Sequence, residues 1–184
     1  MRGVGTILAV TGMPGSGKAT VCKVLEERGI PRVVMGDVVR EETLRRGLEL
    51  NPENVGAVML DLRRRHGQGV IANRVVEKLK MLQQDLVVVD GIRSMAEVKA
   101  LRAYNPNTIL IAVHASPKSR FDRLRRRGRA DDPRDWDTFE RRDERELGVG
   151  IGSAIALADH MIVNEGSMAD LRRKALSLAG RISH

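Results

Sequence analysis

Cysteine and aromatic residues are scarce in this 184-residue sequence, and long apolar runs are absent. The single cysteine, Cys22, excludes an internal disulfide and a zinc site built from several thiolates. No apolar stretch approaches the roughly 20 residues that a membrane-spanning helix requires. A short apolar run at residues 7–10 leads into glycines instead of a signal-peptide cleavage site, so we expect a cytoplasmic protein without a membrane partner.

The low aromatic content also bears on the ligands. Aromatic residues make up 2% of the chain, whereas the formal net charge at pH 7 is +8. The charge favours polyanionic ligands such as nucleotides, coenzymes or nucleic acid. Proteins that bind single-stranded nucleic acid usually add aromatic side chains on which bases stack. The composition therefore favours small phosphorylated ligands over RNA, although an RNA contact read through shape stays open.

Apolar segments alternate with helical patterns along the whole chain. Strands are predicted at about residues 6–10, 32–35, 86–89, 108–113 and 160–163. This alternation predicts an α/β fold, with a five-stranded parallel sheet covered by helices on both faces. The length fits one domain, residues 1–184. In such sheets ligands bind at the carboxyl ends of the strands, so the segments that follow strands are the candidate site.

The first such segment, Gly12-Met13-Pro14-Gly15-Ser16-Gly17-Lys18, matches the phosphate-binding pattern G-x-x-x-x-G-K. Its glycines let backbone N–H groups turn around phosphate oxygens, and the next helix directs its positive end to the same place. Lys18 can reach the β- and γ-phosphates. Because the segment lies between a buried strand and a helix, it predicts binding of ATP or a similar nucleotide.

The residue after the lysine departs from the general pattern. Ala19 stands where a serine or threonine usually binds magnesium, and Thr20 follows it. A hydroxyl ligand at position 19 is therefore excluded. We expect Thr20 to bind phosphate, or Mg²⁺ through water.

Two further segments follow predicted strands. Asp90 ends the apolar run 86–89, and an acid there can hold Mg²⁺ beside the β- and γ-phosphates; the alternative is a structural cap. Gly91 allows a tight turn that brings Arg93 back over the site. Asp37 can cap the next helix, and its i, i+3 spacing from Arg40 allows both to share one face; the alternative is a salt-bridged cap.

Arginines are densest at residues 120–129. Phosphoryl transfer spreads negative charge over the γ-oxygens, and arginines commonly neutralise it. Most of this run is expected to be a solvated face. Arg123 and Arg129 are the first candidates for a catalytic role.

These segments together resemble those of adenylate kinases. The phosphate loop with a small residue and then threonine is similar to theirs, and residues 35–40 resemble their Thr-Gly-Asp-hydrophobic-hydrophobic-Arg stretch. Residues 90–93 resemble Asp-Gly-Phe-Pro-Arg, one residue shorter and without proline. The resemblance implies a P-loop NTPase fold of the nucleoside-monophosphate-kinase type, with an acceptor-binding helical part at about 37–84 and a short lid at about 120–142. It also implies that Arg40 and Arg93 bind the acceptor's phosphate.

The end of the chain resembles a second kinase family. Residues 158–166 are similar to the Ala-Asp-x-Val-Ile-x-Asn-x-Gly stretch of dephospho-coenzyme A kinases, which implies that Asn164 flanks the adenine pocket. Over nearly its whole length the chain looks like one uncharacterised, mainly archaeal family, described as adenylate-kinase-like or a predicted nucleotide hydrolase. That resemblance implies ATP binding but no particular substrate.

Three functions stay open from the sequence. The first is transfer of the ATP γ-phosphoryl group to a nucleoside-monophosphate-like acceptor bound by Asp37, Arg40 and Arg93. The second is a hydroxyl kinase similar to dephospho-coenzyme A kinase, in which Asp37 would remove the proton. The third is an ATP-hydrolysing switch with an RNA or protein partner. The phosphate acceptor is slightly favoured, because Arg40 and Arg93 flank the candidate acids.

Overall fold

A computed structural model describes residues 3–129 and 131–182. Its strands are β1 (Thr6–Thr11), β2 (Arg32–Val34), β3 (Leu86–Ile92), β4 (Thr108–His114) and β5 (His160–Val163). Its helices are α1 (Lys18–Glu26), α2 (Met35–Arg45), α3 (Pro52–His66), α4 (Val70–Lys80), α5 (Met95–Tyr104), α6 (Pro117–Arg127), α7 (Trp136–Val149), α8 (Ile151–Ala156) and α9 (Met168–Ile182). Within these residues, no helix combines the length with the hydropathy that a bilayer span demands.

The strands form one parallel sheet in the order β2-β3-β1-β4-β5. Alternate residues of the central strand β1 face opposite sides. Ile7 and Ala9 belong to a core built with α2, α3, α4 and α5, whereas Leu8 and Val10 pack with α1 and α9. The predicted five-stranded parallel sheet with helices on both faces is therefore confirmed.

The register of β3 brings the candidate segments together. Val10 of β1 and Val34 of β2 both pair with Asp90, so β3 continues to Ile92 instead of ending before the acid. The helix α2 likewise begins at Met35, which places Asp37 in its first turn and not at the capping position expected from the sequence. The phosphate loop, Asp90 and the start of α2 consequently meet at the carboxyl edge of the sheet.

A buried carboxylate fixes α2 to its neighbours. Glu42 accepts hydrogen bonds from Arg45 and Arg46 at 2.8 Å and from Arg74 of α4 at 2.9 Å. Arg46 also donates to Asp61 of α3 at 2.8 Å. These guanidinium groups, Arg45 first, hold the pKa of Glu42 well below its usual range despite burial of the carboxylate. The helix that presents Asp37 is thereby tied to both α3 and α4.

Replacing this carboxylate should destabilise the fold in a pH-dependent way. We expect Glu42→Gln to lower the free energy of unfolding by about 1–2 kcal/mol at neutral pH, because charge-assisted hydrogen bonds to partly exposed arginines are lost. A depressed folded-state pKa stabilises the protein above the ordinary value of 4.5, and the stabilisation disappears as the pH falls toward the folded-state value. Denaturant titrations of wild type and variant at several pH values would measure the difference.

The matched control is Glu41→Gln on the same helix. The Glu41 side chain is 60% exposed and, among the residues that the structure describes, pairs only with Lys78, so its loss should change stability little. Equal destabilisation by both variants, or a difference that persists in acid, would contradict the assigned role of Glu42.

Candidate nucleotide-binding site

The phosphate loop connects the end of β1 to the start of α1. Gly12, Gly15 and Gly17 have φ values of 153°, 81° and 105°, in the region that side chains disfavour. A Cβ at Gly12 would lie 2.4 Å from the Val113 carbonyl oxygen, and one at Gly17 would lie 2.4 Å from Asn164 Nδ2. Glycine is therefore required at these positions both by the backbone conformation and by the space around it.

The groups around this loop fit a chain of phosphates. The first backbone bonds of α1 run from Thr20 and Val21 to the Gly17 carbonyl, so the amides of Lys18 and Ala19 precede them at the positive end of the helix. Ser16 Oγ is buried and has no hydrogen-bond partner among the described residues. Since an unpaired buried hydroxyl is costly, a phosphate oxygen is a suitable acceptor for it.

Side chains from two other segments hold the loop in place. Asn164, which follows β5, donates from Nδ2 to the Ser16 carbonyl at 2.8 Å. Arg120 of α6 donates to the Pro14 carbonyl and to the Ala115 carbonyl, both at 3.2 Å. The sequence pattern predicted that most arginines around position 120 form a solvated face, but the Arg120 side chain is only 5% exposed. Its supporting role depends on packing against distant residues, which the local pattern does not reveal.

A cavity of about 830 Å³ lies beside the loop, within the size range of small-molecule sites. Nine of the residues singled out from the sequence line it: Met13, Gly15, Gly17, Lys18, Ala19, Thr20, Arg123, Arg129 and Asn164. Arg123 donates from Nη2 to the Asn164 carbonyl at 2.8 Å. Its buried Nη1 has no hydrogen-bond partner among the described residues. The cavity is thus lined both by the loop and by an arginine of α6 that has one unpaired nitrogen.

Charged side chains of both signs act on Lys18. Burial lowers the pKa of Lys18 from its ordinary value of 10.5, and the neighbouring Asp90 carboxylate opposes that effect. Arg93 lowers this pKa further, whereas Glu146 of α7 raises it. The structure therefore places Lys18, Asp90 and Arg93 in one electrostatic environment, together with Glu146, to which the sequence assigned no role.

The candidate metal ligand Asp90 forms an ion pair that the sequence analysis did not predict. Arg32, at the start of β2, donates from Nη2 to Asp90 Oδ2, and the Asp90 side chain is 8% exposed. Nearby, burial and then the Asp90 carboxylate raise the pKa of the Cys22 thiol far above its ordinary value. One carboxylate oxygen of Asp90 is consequently engaged by an arginine, and its role toward magnesium stays a prediction.

The residues expected to bind the acceptor are paired with carboxylates. Arg40 donates from Nε and Nη2 to Asp37 Oδ1, the former at 3.1 Å. Arg93 Nε lies 3.6 Å from Glu146 Oε2. The Arg93 backbone N–H also donates to Glu97 at 2.7 Å, and Glu97 in turn accepts from the buried Arg63 at 2.9 Å. Each of the two arginines expected to bind the acceptor therefore has a carboxylate partner.

The connection between α6 and α7, of which the structure describes residues 128, 129 and 131–135, lies in the segment expected to be the lid. Asp132 accepts from the Arg127 guanidinium at 2.8 Å and from the Arg129 backbone N–H at 3.0 Å. Arg142 of α7 bonds to the Asp131 carbonyl at 2.9 Å. The Arg129 side chain is exposed and reaches the cavity beside the phosphate loop.

Comparisons with known proteins agree with this architecture. A family model described as "AAA domain" matches residues 11–140. A gluconokinase from Sinorhizobium meliloti superimposes with a TM-score of 0.59 at 18% identity, covering 99% of this chain and 95% of its own. A shikimate kinase from Acinetobacter baumannii, in complex with shikimate, gives 0.57 at 18% identity, covering 97% and 94%. At these identities the two structures show the fold alone, which is that of P-loop kinases.

Sequence similarity is much closer to a group of archaeal proteins. The "UPF0200 protein" from Thermococcus kodakarensis is 49% identical over 180 residues, which cover 96% of this chain and 97% of the relative. The resemblance to one archaeal P-loop family that the motifs suggested is thereby confirmed, and the chain belongs to the UPF0200 family.

Proposed function

We propose that the protein is an ATP-dependent phosphotransferase that transfers the γ-phosphoryl group of ATP to a small-molecule acceptor. The observation that carries this proposal is the cavity in which the phosphate loop and Lys18 meet Arg123 and Arg129. Phosphoryl transfer depends almost entirely on positioning and charge neutralisation, and this cavity supplies both. The likeness in fold to gluconokinase and shikimate kinase supports a small-molecule acceptor over a macromolecular one.

Each part of the site has a proposed task. The loop amides and Ser16 would hold the phosphates, and Lys18 would pair with the β- and γ-phosphates. Asn164 would support the loop at the nucleotide-base side. Arg123 and Arg129, in a lid at about 120–142, would neutralise the transferred phosphoryl group, with the acceptor bound against the helical part at about 37–84.

The protein groups at this site would hold a magnesium ion only together with the phosphates of a bound nucleotide. Among the described residues, no group of three or more His, Cys, Asp or Glu side chains is placed to hold a metal. The remaining Asp90 oxygen and Thr20 are the protein groups that would hold it, directly or through water. When bound, the ion neutralises charge on the β- and γ-phosphates.

The ion pairs bear on the class of acceptor. The sequence slightly favoured a nucleoside-monophosphate-like acceptor, whose phosphate would bind Arg40 and Arg93. Both arginines have carboxylate partners, Asp37 and Glu146. A phosphate dianion would have to displace these carboxylates and approach them closely, whereas a neutral hydroxyl would not. The geometry therefore supports a hydroxyl acceptor better.

Loss of the loop lysine should remove nucleotide binding. We expect Lys18→Ala to abolish measurable ATP binding and phosphoryl transfer while the fold persists, because the variant lacks the point charge at the phosphates. Isothermal titration with ATP and circular dichroism would check both parts. Lys23→Ala, an exposed site on the same helix, should bind ATP normally. A folded Lys18→Ala variant with wild-type affinity would refute the assignment of the loop.

Asp90 should matter mainly when magnesium is present. We expect Asp90→Asn to weaken ATP binding in Mg²⁺ by roughly 10- to 100-fold, the usual effect of removing a group that supports a metal. Binding in EDTA should change far less, because the loop holds the phosphates without Asp90. Calorimetric titrations in the two buffers would provide the comparison. Asp85→Asn, a change at an exposed residue just before β3, serves as the control. If Asp90→Asn lost the same ATP affinity in both buffers, the role of Asp90 would be purely structural.

A further inference from the structure

Three carboxylates lie beside groups to which the sequence or the electrostatics assigns a part in the site: Asp37 beside Arg40, Asp90 near the carboxyl end of β3, and Glu146 beside Arg93. Asp37 accepts two hydrogen bonds on Oδ1 from Arg40, and its side chain is 47% exposed. Asp90 accepts from Arg32 and is buried. Two of the three are thus already engaged by arginines at hydrogen-bonding distance.

Glu146 differs from the other two carboxylates. Its only ionic contact among the described residues is to Arg93 Nε at 3.6 Å, which exceeds hydrogen-bonding distance. The side chain is 16% exposed, so it is largely shielded from bulk water but not sealed from an incoming molecule. It also acts electrostatically on Lys18. The carboxylate therefore retains hydrogen-bond acceptor capacity close to Arg93 and within electrostatic reach of Lys18.

The position of Glu146 is fixed by a residue one turn earlier. Asp143 and Glu146 are spaced i, i+3 on α7, so both face the same side of the helix. Asp143 accepts from Arg120 Nη1 at 2.8 Å, and the same guanidinium donates to the Pro14 carbonyl of the phosphate loop. A continuous set of hydrogen bonds thus sets the distance between the loop and the helix that presents Glu146.

We propose that Glu146 is the catalytic base of this enzyme and that its acceptor is a hydroxyl compound. This inference rests on the proposed phosphotransferase function and narrows it. A hydroxyl keeps its proton near neutral pH and needs a positioned base, whereas a phosphate acceptor needs none. Glu146 also replaces Asp37, the base expected from the sequence, because Asp37 is exposed and already hydrogen-bonded.

The chemical step balances without a further reactant. The acceptor O–H proton moves to the Glu146 carboxylate as the acceptor oxygen bonds to the γ-phosphorus. The bond between that phosphorus and the oxygen bridging to the β-phosphate breaks, and ADP leaves with the electron pair. Lys18 and Arg93 would neutralise the negative charge that develops on the transferred group. Glu146 then returns its proton to solvent.

The test compares Glu146→Gln with Glu144→Gln, an exposed site on the same helix, and with Asp37→Asn. Each full-length protein is incubated with γ-labelled ATP and two groups of probes: polyols, sugar acids and nucleosides as hydroxyl acceptors, and nucleoside monophosphates as phosphate acceptors. Water is a hydroxyl present in every reaction, and its product is inorganic phosphate. Single-turnover rates and ATP affinity are measured for each variant.

We expect wild type to label a hydroxyl acceptor, or water alone. Glu146→Gln should slow that chemical step by about 10²–10⁴-fold with unchanged ATP affinity, while Glu144→Gln keeps the wild-type rate and Asp37→Asn keeps most of it. Three outcomes would overturn the inference and leave the phosphotransferase function intact. These are labelling of nucleoside monophosphates alone, a single-turnover rate of Glu146→Gln close to wild type, and a collapse of that rate in Asp37→Asn instead. ATP binding without transfer to any probe or to water would overturn the phosphotransferase itself, and the inference with it.

Discussion

The guanidinium of Arg120 connects the parts of the candidate site. It donates hydrogen bonds to the carbonyls of Pro14 and Ala115 and to the carboxylate of Asp143. Its central carbon also lies 4.9 Å from the centroid of the Phe139 ring. A buried cation is tolerated only when its charge and its donors are satisfied, so these partners must be present together. The phosphate loop, the end of β4 and the helix α7 therefore adopt one relative arrangement, on which the geometry around Lys18 depends.

The same principle applies to the residues of the proposed acceptor side. Arginines are abundant in the chain, yet Arg32, Arg40 and Arg93 each face a carboxylate at the carboxyl edge of the sheet. The net positive charge of the whole protein is thus not concentrated around these three arginines. The strongly cationic part is the nucleotide side, where Lys18, Arg123 and Arg129 line the cavity. A polyanionic nucleotide and a less charged acceptor fit this division.

The sequence contained enough information for the fold and for the phosphate loop. Both arise from local patterns: apolar runs that alternate with amphipathic ones, and glycines at fixed spacing between a strand and a helix. The ion pairs Arg32–Asp90 and Arg120–Asp143 join residues that are 58 and 23 positions apart. Such pairs have no local signature, because they arise only when the tertiary fold brings distant segments together. For the same reason the contact of Glu146 with Arg93 could not be recognised from the sequence. The cap of α2, expected at Asp37, lies three residues earlier at Val34.

Cys22 has a practical consequence that follows from its position. It is the sole cysteine of the sequence and is fully buried, one turn into the helix that follows the phosphate loop. A thiol of this kind reacts with alkylating reagents only after local opening of the surrounding structure, and its raised pKa suppresses the thiolate further. The native protein thus contains a single thiol that can serve as a chemical reporter in the helix after the phosphate loop. Its rate of modification would record how far each nucleotide, metal or acceptor rigidifies this region, without any engineered label.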